Sequence, residues 1–102
     1  MSITVKKYPF TQKNVDNAPD KNGVYALYDQ NEVIYIGRAR GEDVTIRSRL
    51  KDHKSGKEGT CTKGASHYKR QITVFPLTRE TALLVEYKKV HGKLPRCNER
   101  VG

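Results

Sequence analysis

The sequence predicts a small α+β domain in which a three-stranded antiparallel sheet is flanked by helices. Residues 23–29 and 33–38 are rich in β-branched and aromatic side chains and are joined by a short polar turn, which predicts a hairpin. Residues 67–75 have the composition and alternation of a third strand. Segments 43–56 and 78–92 carry capping residues and apolar residues at helical spacing. The predicted order of elements is therefore β-β-α-β-α.

The predicted hairpin contains Tyr25 and Tyr35, and the length of its turn decides whether they share a face of the sheet. A three-residue turn at 29–31 pairs Tyr25 with Tyr35 and leaves Tyr28 on the opposite face. A two-residue turn would put Tyr25 and Tyr35 on opposite faces. Asn31 tolerates the left-handed backbone that a three-residue turn needs, so the sequence favours the longer turn.

The first long helix brings two polar side chains to one face. Asp43 or Thr45 can cap its N-terminus, and Gly56 ends it. Arg49 and His53 are four residues apart, so they lie above one another on the helix surface.

The second long helix, capped by Thr78 and ended by Gly92, places a carboxylate among apolar side chains. Its apolar stripe consists of Leu83, Tyr87 and Val90. Glu86 lies three residues after Leu83 and four before Val90. Because a buried carboxylate is costly unless it is paired or binds a cation, Glu86 is expected to have a partner.

Two shorter segments complete the chain. A short helix is expected over 12–17, before Pro19. Residues 54–66, rich in Gly, Lys and Thr, are expected to form a loop long enough to be functional. With 102 residues and no linker or repeat, the sequence predicts a single domain over residues 1–102.

The charge of the chain favours a polyanionic partner. Twenty Lys and Arg against eleven Asp and Glu give a net charge of +9 and a pI near 9.7. The basic residues recur along the chain, which indicates a basic face and DNA as the first candidate partner. The sequence has neither an apolar segment of membrane-spanning length nor an apolar signal segment, so we expect a cytoplasmic protein and no membrane partner.

The two cysteines, Cys61 and Cys97, are expected to be free thiols, as is usual in a cytosolic chain. Together with His67 and His91 they would supply four zinc ligands. Their spacing is not that of a paired CxxC or HxxxH site, so the zinc interpretation is the weaker one.

Several polar side chains match the requirements of phosphodiester hydrolysis. A carboxylate can hold a divalent cation, an arginine can stabilise the charge that develops on the phosphoryl oxygens, and a tyrosine or histidine can take a proton from water. Taken singly, each of these residues also has an ordinary structural role. The candidates are Tyr25, Tyr35, Arg49, His53, Glu86 and Asn98.

The chain resembles the GIY-YIG nuclease superfamily. The two motifs that give the family its name stand here as Gly23-Val24-Tyr25 and Tyr35-Ile36-Gly37. The segment that contains Arg49 and His53 is similar to the strand-turn-helix of the family. The segment from Glu86 to the Pro-x-x-Asn that ends at Asn98 is similar to its metal-binding helix. The resemblance covers residues 18–98 and extends to the N-terminal catalytic domain of excinuclease-type members.

This resemblance implies a DNA endonuclease that uses a single divalent metal, Mg²⁺ or Mn²⁺, held by Glu86. Tyr25 would contact or deprotonate the attacking water, with Tyr35 assisting it or binding phosphate. Arg49 would stabilise the transition state, and His53 would bind phosphate or relay a proton. DNA repair or recombination is the implied context, with a protein partner as a possible source of substrate specificity.

Three further residues are implied to bind the substrate. Arg38 directly follows the second motif, at a position that is often basic in the family. Asn98 would fix local geometry. The segment between Gly37 and Arg49 is slightly longer than in excinuclease-type members, which leaves Arg47 and Arg49 as alternatives for the motif arginine. The four-residue spacing to His53 favours Arg49.

Two other functions remain open from the sequence. One is a non-catalytic nucleic-acid-binding module on the same fold, which the positive charge would serve equally well. The other is a structural or partner-binding domain whose charge is incidental. The presence of every expected catalytic residue type favours the nuclease.

Overall fold

The structure is a computed structural model that describes residues 6–98. It consists of a four-stranded antiparallel sheet, with strand order β1-β4-β2-β3, and four helices. The elements in chain order are β1 (Tyr8–Pro9), α1 (Gln12–Asp16), β2 (Gly23–Asp29), β3 (Glu32–Ala39), α2 (Ile46–Ser55), α3 (Thr60–Lys63), β4 (His67–Ile72) and α4 (Pro76–His91). None of the helices within residues 6–98 is long and apolar enough to cross a membrane.

The predicted α+β class is confirmed, but the sheet has four strands and not three. The additional strand, β1, is only two residues long and pairs with β4, where Tyr8 lies opposite Tyr68. The two tyrosine rings stack with their centroids 5.4 Å apart. Two residues are too few to show the alternation of a strand. Pro9 in addition cannot donate a hydrogen bond to the sheet, so the sequence gave no sign of β1.

The turn of the hairpin differs from the prediction. Asp29 pairs with Glu32, so only Gln30 and Asn31 form the turn. Gln30 takes the left-handed conformation with φ of 58°, whereas Asn31 does not have a positive φ. The prediction of a three-residue turn is therefore wrong.

A β-bulge nevertheless brings Tyr25 and Tyr35 to the same face of the sheet. The register shifts between Leu27 and Tyr28, so that Leu27 pairs with Tyr35 and Tyr25 pairs with Gly37. The shift of one residue compensates for the shorter turn. Tyr25 and Tyr35 are diagonal neighbours with ring centroids 6.1 Å apart. Tyr28 packs on the opposite face, as predicted.

The two long helices follow their capping residues, with one exception. Thr45 caps α2 in a capping box with Ser48, and Gly56 ends that helix in the left-handed conformation. Helix α4 ends at Gly92, as predicted, but begins at Pro76 and not after Thr78. Proline suits the first helical position because its φ is already helical and its missing N–H would have no partner there.

The predicted loop 54–66 contains one helical turn and one covalent link. The turn is α3, and its Cys61 forms a disulfide bond with Cys97 of the C-terminal segment. Neither cysteine is therefore free, contrary to the prediction, and neither is available as a zinc ligand. The two cysteines are 36 positions apart in the sequence, so sequence proximity gave no sign of the pairing.

The sheet has a hydrophobic cluster on each face. On one face, Tyr25, Leu27 and Tyr35 pack with residues of α1 and α2, including Leu50. On the other face, the cluster includes Val24, Ala26, Ile36 and Leu83 of α4. Val90, which the apolar stripe placed towards the core, is 70% exposed, so that part of the prediction is wrong. The two faces thereby separate the residues of α2 from those of α4.

Candidate active site

A buried chain of three polar side chains connects β2, α2 and α3. The Tyr25 hydroxyl oxygen lies 2.9 Å from His53 Nε2. The other ring nitrogen, Nδ1, lies 2.8 Å from the Thr62 hydroxyl oxygen. Tyr25, His53 and Thr62 are 0%, 1% and 3% exposed, respectively. His53 lies on the buried face of α2, together with Ile46 and Leu50, so its imidazole faces the sheet.

Gly37 leaves the space that the end of the Tyr25 ring occupies. A Cβ atom at Gly37 would lie 2.6 Å from both Cζ and Oη of Tyr25 and 2.7 Å from Cε2 of Tyr35. No side chain fits at these distances. The glycine that closes the second motif is therefore required by the two tyrosines and not by its backbone angles.

The surroundings of these groups set their protonation states. Burial raises the pKa of Tyr25, and the neighbouring Tyr35 raises it further. Burial also raises the pKa of Tyr35. Burial, followed by the nearby positive charge of Arg49, lowers the pKa of His53 to about 4. Both hydroxyls therefore carry their protons at neutral pH, and the imidazole is neutral.

Arg49 is held between two carboxylates beside these rings. Its guanidinium approaches Glu58 at 3.3 and 3.4 Å and Asp52 at 3.3 Å. The hydrogen bond from Arg49 lowers the pKa of the Glu58 carboxyl. The same guanidinium acts to lower the pKa of both Tyr25 and Tyr35, against the effect of burial. An arginine in this position can stabilise negative charge next to the tyrosine hydroxyls.

A cleft of about 960 Å³ opens over this region, and we call it the basic cleft. Its lining includes Tyr35, Arg38, Arg40, Arg49, Lys57 and Glu80. Glu80 lies in α4, and its carboxylate accepts a hydrogen bond of 2.7 Å from Arg38. Tyr35 reaches the cleft, whereas Tyr25 lies buried behind it.

The structure does not bring Glu86 into the basic cleft. Glu86 lines a separate cavity of about 470 Å³, together with Tyr28, Glu32, Val33 and Tyr87. Tyr28 and Val33 belong to the face of the sheet that is opposite Tyr25. The assignment of Glu86 as metal ligand stays a prediction, and Glu80 is the α4 carboxylate that the cleft contains.

Two of the expected substrate-binding residues are engaged with backbone atoms. Arg47 Nε donates to the carbonyl of Ala18 at 2.9 Å, which turns Arg47 away from the cleft. Asn98 accepts from Ile36 N–H at 2.8 Å and donates to Ile36 C=O at 2.9 Å. Of the two candidate arginines, Arg49 is the one that lies beside the tyrosines, and Asn98 holds the outer edge of β3.

Sequence reasoning missed Glu58, Thr62 and Glu80. Glu58 and Thr62 lie in the segment interpreted as a loop, where no periodicity indicates which side chains face inwards. In the predicted helix, which begins at Thr78, Glu80 has the position of a partner of the helix dipole, whereas the observed α4 begins at Pro76 and has no acidic residue in its first turn. The position of Glu80 three residues after the exposed Leu77 gives no sign of a site, and only the path of α4 along β3 places it beside Arg38.

The chain is similar to known nuclease domains in both sequence and fold. Residues 21–94, more than half of the chain, match the family model of the GIY-YIG catalytic domain. No curated protein matches. Among solved structures, the magnesium-bound GIY-YIG N-terminal endonuclease domain of UvrC from Thermotoga maritima matches with a TM-score of 0.59 and 20% identity. The match covers 84% of this chain and 92% of that chain.

A point mutant of the same UvrC domain, with phenylalanine in place of a tyrosine and bound to its catalytic divalent cation, gives a TM-score of 0.58. The identity is 20%, over 84% of this chain and 91% of that chain. At this identity the structural matches establish the fold, and the family match rests on the sequence. The chain belongs to the GIY-YIG family.

Proposed function

We propose that this protein is a divalent-metal-dependent endonuclease that hydrolyses phosphodiester bonds of DNA. The observation that carries the proposal is the basic cleft, where Tyr35, Arg38 and Arg49 meet in front of the hydrogen-bonded pair of Tyr25 and His53. The family match and the net charge of +9 support DNA as the substrate.

Arg49 is assigned the role of binding a phosphate of the DNA. It lines the cleft and has two carboxylate partners, Glu58 and Asp52, which a phosphate can replace because each pair is partly exposed. A phosphate group accepts the same paired N–H donors as a carboxylate does. Arg38 is assigned to a neighbouring phosphate, in competition with Glu80.

The removal of a proton from the attacking water is assigned to Tyr25 and His53. A tyrosine whose pKa is raised is a poor base when it acts alone. Because Tyr25 is buried behind Tyr35, the step requires that a water enters from the cleft past Tyr35. The Tyr25 oxygen takes a proton from that water while its own proton passes to His53 Nε2, so Tyr25 is not ionised. The products of that step are a hydroxide that attacks phosphorus, a neutral tyrosine and an imidazolium. Tyr35, which reaches the cleft, is assigned to holding the water or the phosphate.

Two tyrosine variants separate these roles. Tyr25→Phe is expected to lower kcat by at least about 100-fold, the usual contribution of general acid–base catalysis, with KM little changed. Tyr35→Phe is expected to raise KM more than it lowers kcat. Steady-state cleavage kinetics of both variants measure the split. Loss of kcat in Tyr35→Phe alone would move the base to Tyr35.

The residues of the cleft fit a single Mg²⁺ or Mn²⁺. Residues 6–98 contain no group of three or more His, Cys, Asp or Glu side chains that could hold a metal. Magnesium in proteins is commonly held by one or two carboxylates and keeps several waters, so one carboxylate of α4 suffices. Such a metal supplies Lewis-acid activation of the phosphate when bound. The metal-bound UvrC domains support a divalent cation as cofactor.

Two carboxylates compete for the metal in this proposal, Glu86 from the family spacing and Glu80 from its place in the cleft. Glu86→Gln and Glu80→Gln change only the charge and should leave the fold intact. Nicking of plasmid DNA in Mg²⁺ and in Mn²⁺ tests both variants. Loss of cleavage in one variant assigns the metal to that residue. Undiminished cleavage in both would contradict a metal site on α4.

The alternative function is a non-catalytic nucleic-acid-binding module. The position of Glu86 outside the basic cleft favours it, as do the two acids that already neutralise Arg49. A panel of duplex, flap, junction and single-stranded oligonucleotides, each with Mg²⁺ and Mn²⁺, decides between the two. Metal-independent binding without cleavage of any of them would establish the alternative.

The wider assignments belong to the same proposal. We assign residues 1–102 to one domain and connect it with DNA repair or recombination. The cytoplasm stays the proposed location, and the disulfide bond between Cys61 and Cys97 is the observation that argues against it, because disulfide bonds are rare in cytosolic proteins. A protein partner that supplies substrate specificity is part of this picture, because contacts to the DNA backbone carry no sequence information.

A further inference from the structure

Thr62 contacts the proposed catalytic histidine from outside the family motifs. It lies on α3, within the segment that sequence analysis interpreted as a loop, and is 3% exposed. Its hydroxyl oxygen lies 2.8 Å from Nδ1 of His53, and the opposite ring nitrogen lies 2.9 Å from the Tyr25 hydroxyl. The imidazole is therefore held at both nitrogens by groups that the protein buries.

The direction of these two hydrogen bonds follows from Tyr25. A fully buried hydroxyl that keeps its proton has to donate it to an acceptor. His53 Nε2 is the acceptor at hydrogen-bond distance, and Arg49, the other polar neighbour, has only donors. Nε2 must then be unprotonated. In a neutral imidazole the proton lies on the other nitrogen, so Nδ1–H donates to Thr62.

The charged and titratable groups around His53 agree with a neutral ring. Tyr25 of β2 and Tyr35 of β3 face it from the sheet, with ring centroids 5.5 and 4.8 Å from the imidazole. Arg49 and Asp52 of α2 and Glu58 of the following turn are the charges that act on it. Arg49 opposes a positive charge on the ring, and the two carboxylates favour it less strongly than burial disfavours it.

The position of Thr62 depends on an anchor outside α3. A helix of four residues has no stability of its own, and Gly59 at its N-terminus provides no side-chain cap. Cys61, the residue before Thr62, is tied to Cys97 by the disulfide bond. That bond fixes α3 against the segment whose Asn98 holds β3.

We propose that Thr62 is a positioning residue that holds His53 in the tautomer with its proton on Nδ1, so that Nε2 is free to receive the proton of Tyr25. The catalytic meaning of this tautomer rests on the proposed function. The tautomer itself can be measured whether or not the protein cleaves DNA.

The test uses the full chain and three variants. Thr62→Val removes the hydroxyl but fills the same space, so no water can take its place. Thr62→Ser keeps the hydroxyl. Thr60→Val makes the same change on the exposed side of the same turn and is the matched control. Nitrogen-15 NMR shifts of the His53 ring report the tautomer, and thermal melts report folding.

Wild type, Thr62→Ser and Thr60→Val should show the proton on Nδ1. Thr62→Val should shift the population towards Nε2–H, because Nδ1–H then lacks its acceptor and this cost opposes the preference that Tyr25 sets. Thr62→Val should also lower kcat by at least about tenfold with KM unchanged, while Thr62→Ser restores it. A wild-type ring protonated on Nε2 would overturn the proposal, even if Thr62→Val does not fold. Unchanged ring shifts in a folded Thr62→Val would overturn it as well. If wild type cleaves no DNA, the proposed function fails, and the NMR measurement still decides the tautomer.

Discussion

Gly37 and His53 determine the environment of the Tyr25 hydroxyl, one by its lack of a side chain and the other by its imidazole. The hydroxyl oxygen lies only 2.6 Å from where a Cβ of Gly37 would be, and its hydrogen-bond partner is a buried, neutral ring. The absence of a side chain at Gly37 and the contact with His53 both reflect close packing around the Tyr25 hydroxyl oxygen. Substitutions at these two positions therefore affect stability and chemistry together.

Gly37→Ala is expected to destabilise the protein by about 1–3 kcal/mol, because its methyl group would overlap the rings of Tyr25 and Tyr35. Urea unfolding measures the loss. Gly64→Ala is the control, since a Cβ there meets nothing within 4 Å and the backbone φ of −90° suits any residue. Equal stability of the two variants would contradict the packing described around Gly37.

The buried imidazole predicts a loss of stability in mild acid. The pKa of His53 is about 4 in the folded protein and 6.5 when unfolded, so between these values the unfolded chain binds more protons. The contribution of His53 is complete above about pH 6.5. It falls by up to about 1.4 kcal/mol per pH unit as the pH drops towards 4. Urea unfolding at several pH values measures this slope.

His53→Gln provides the comparison, because glutamine does not titrate. The variant is expected to lack the part of the slope that belongs to His53. If the slopes of the two proteins coincided from pH 6.5 to 4, His53 could not be the buried neutral base described above.

At the residue scale, some of the residues predicted from the sequence lie together in the structure, and other residues beside them were not predicted. Helical spacing correctly placed Arg49 and His53 together, because both residues lie on one element. The choice between Glu80 and Glu86 depends on how α4 crosses β3, a tertiary relation that the helix sequence does not contain. The contact of Thr62 with His53 could not be predicted, because the position of α3 depends on a disulfide bond between residues that are distant in sequence.

Among the elements, β3 is the strand most in need of support, because it lies at an edge of the sheet and carries the second motif. An exposed edge presents unpaired backbone groups. Here the side chain of Asn98 bonds to both polar groups of Ile36, and the N–H of Cys97 donates to the carbonyl of Ile34. The C-terminal segment thus acts as a short extension of the sheet.

Asn98→Ala is expected to destabilise the protein by about 1–3 kcal/mol, because Ile36 loses a donor and an acceptor at a buried position. Asn98→Asp keeps the acceptor only and should lie between alanine and wild type. Hydrogen exchange of the Ile36 amide should speed up in the alanine variant. Asn31→Ala, in the exposed turn, is the control, and an equal effect there would argue against a specific role of Asn98.

Elements with strong local signals could be predicted, and elements defined by contacts could not. The hairpin, α2 and the end of α4 follow from β-branched segments and from the caps Thr45, Gly56 and Gly92. Strand β1 and helix α3 are too short to have a period. They exist because β4 and the disulfide bond hold them.

On the scale of the whole molecule, the basic cleft combines a small excess of positive charge with three acidic side chains, Asp43, Asp52 and Glu80. Four basic side chains line the cleft, Arg38, Arg40, Arg49 and Lys57. Acidic partners accompany Arg38 and Arg49. Arg96 lies elsewhere, at the turn end of the hairpin, where it pairs with Asp29. A DNA backbone bound in the cleft would contact these four basic side chains and would not contact Arg96.

Salt dependence of duplex binding tests this arrangement. Each phosphate contact contributes about −0.9 to the slope of log K against log salt, so Arg40→Gln should reduce the magnitude of the slope by about one contact. Arg96→Gln removes the same charge outside the cleft and should leave the slope unchanged. Fluorescence anisotropy at several salt concentrations measures both variants. An equal change in the two slopes would mean that the whole surface attracts DNA without a defined site.

The bulge opposite Leu27 also limits how the hairpin can change in length. Tyr35 shares a face with Tyr25 because the shorter turn and the bulge together preserve the alternation of side chains. Deleting or inserting one residue between the motifs, without a compensating bulge, would turn Tyr35 towards α4 and away from the cleft. An insertion of two residues would keep it in place. The distance between the two motifs can therefore vary in evolution or in design by even steps, and by odd steps only if a bulge is gained or lost.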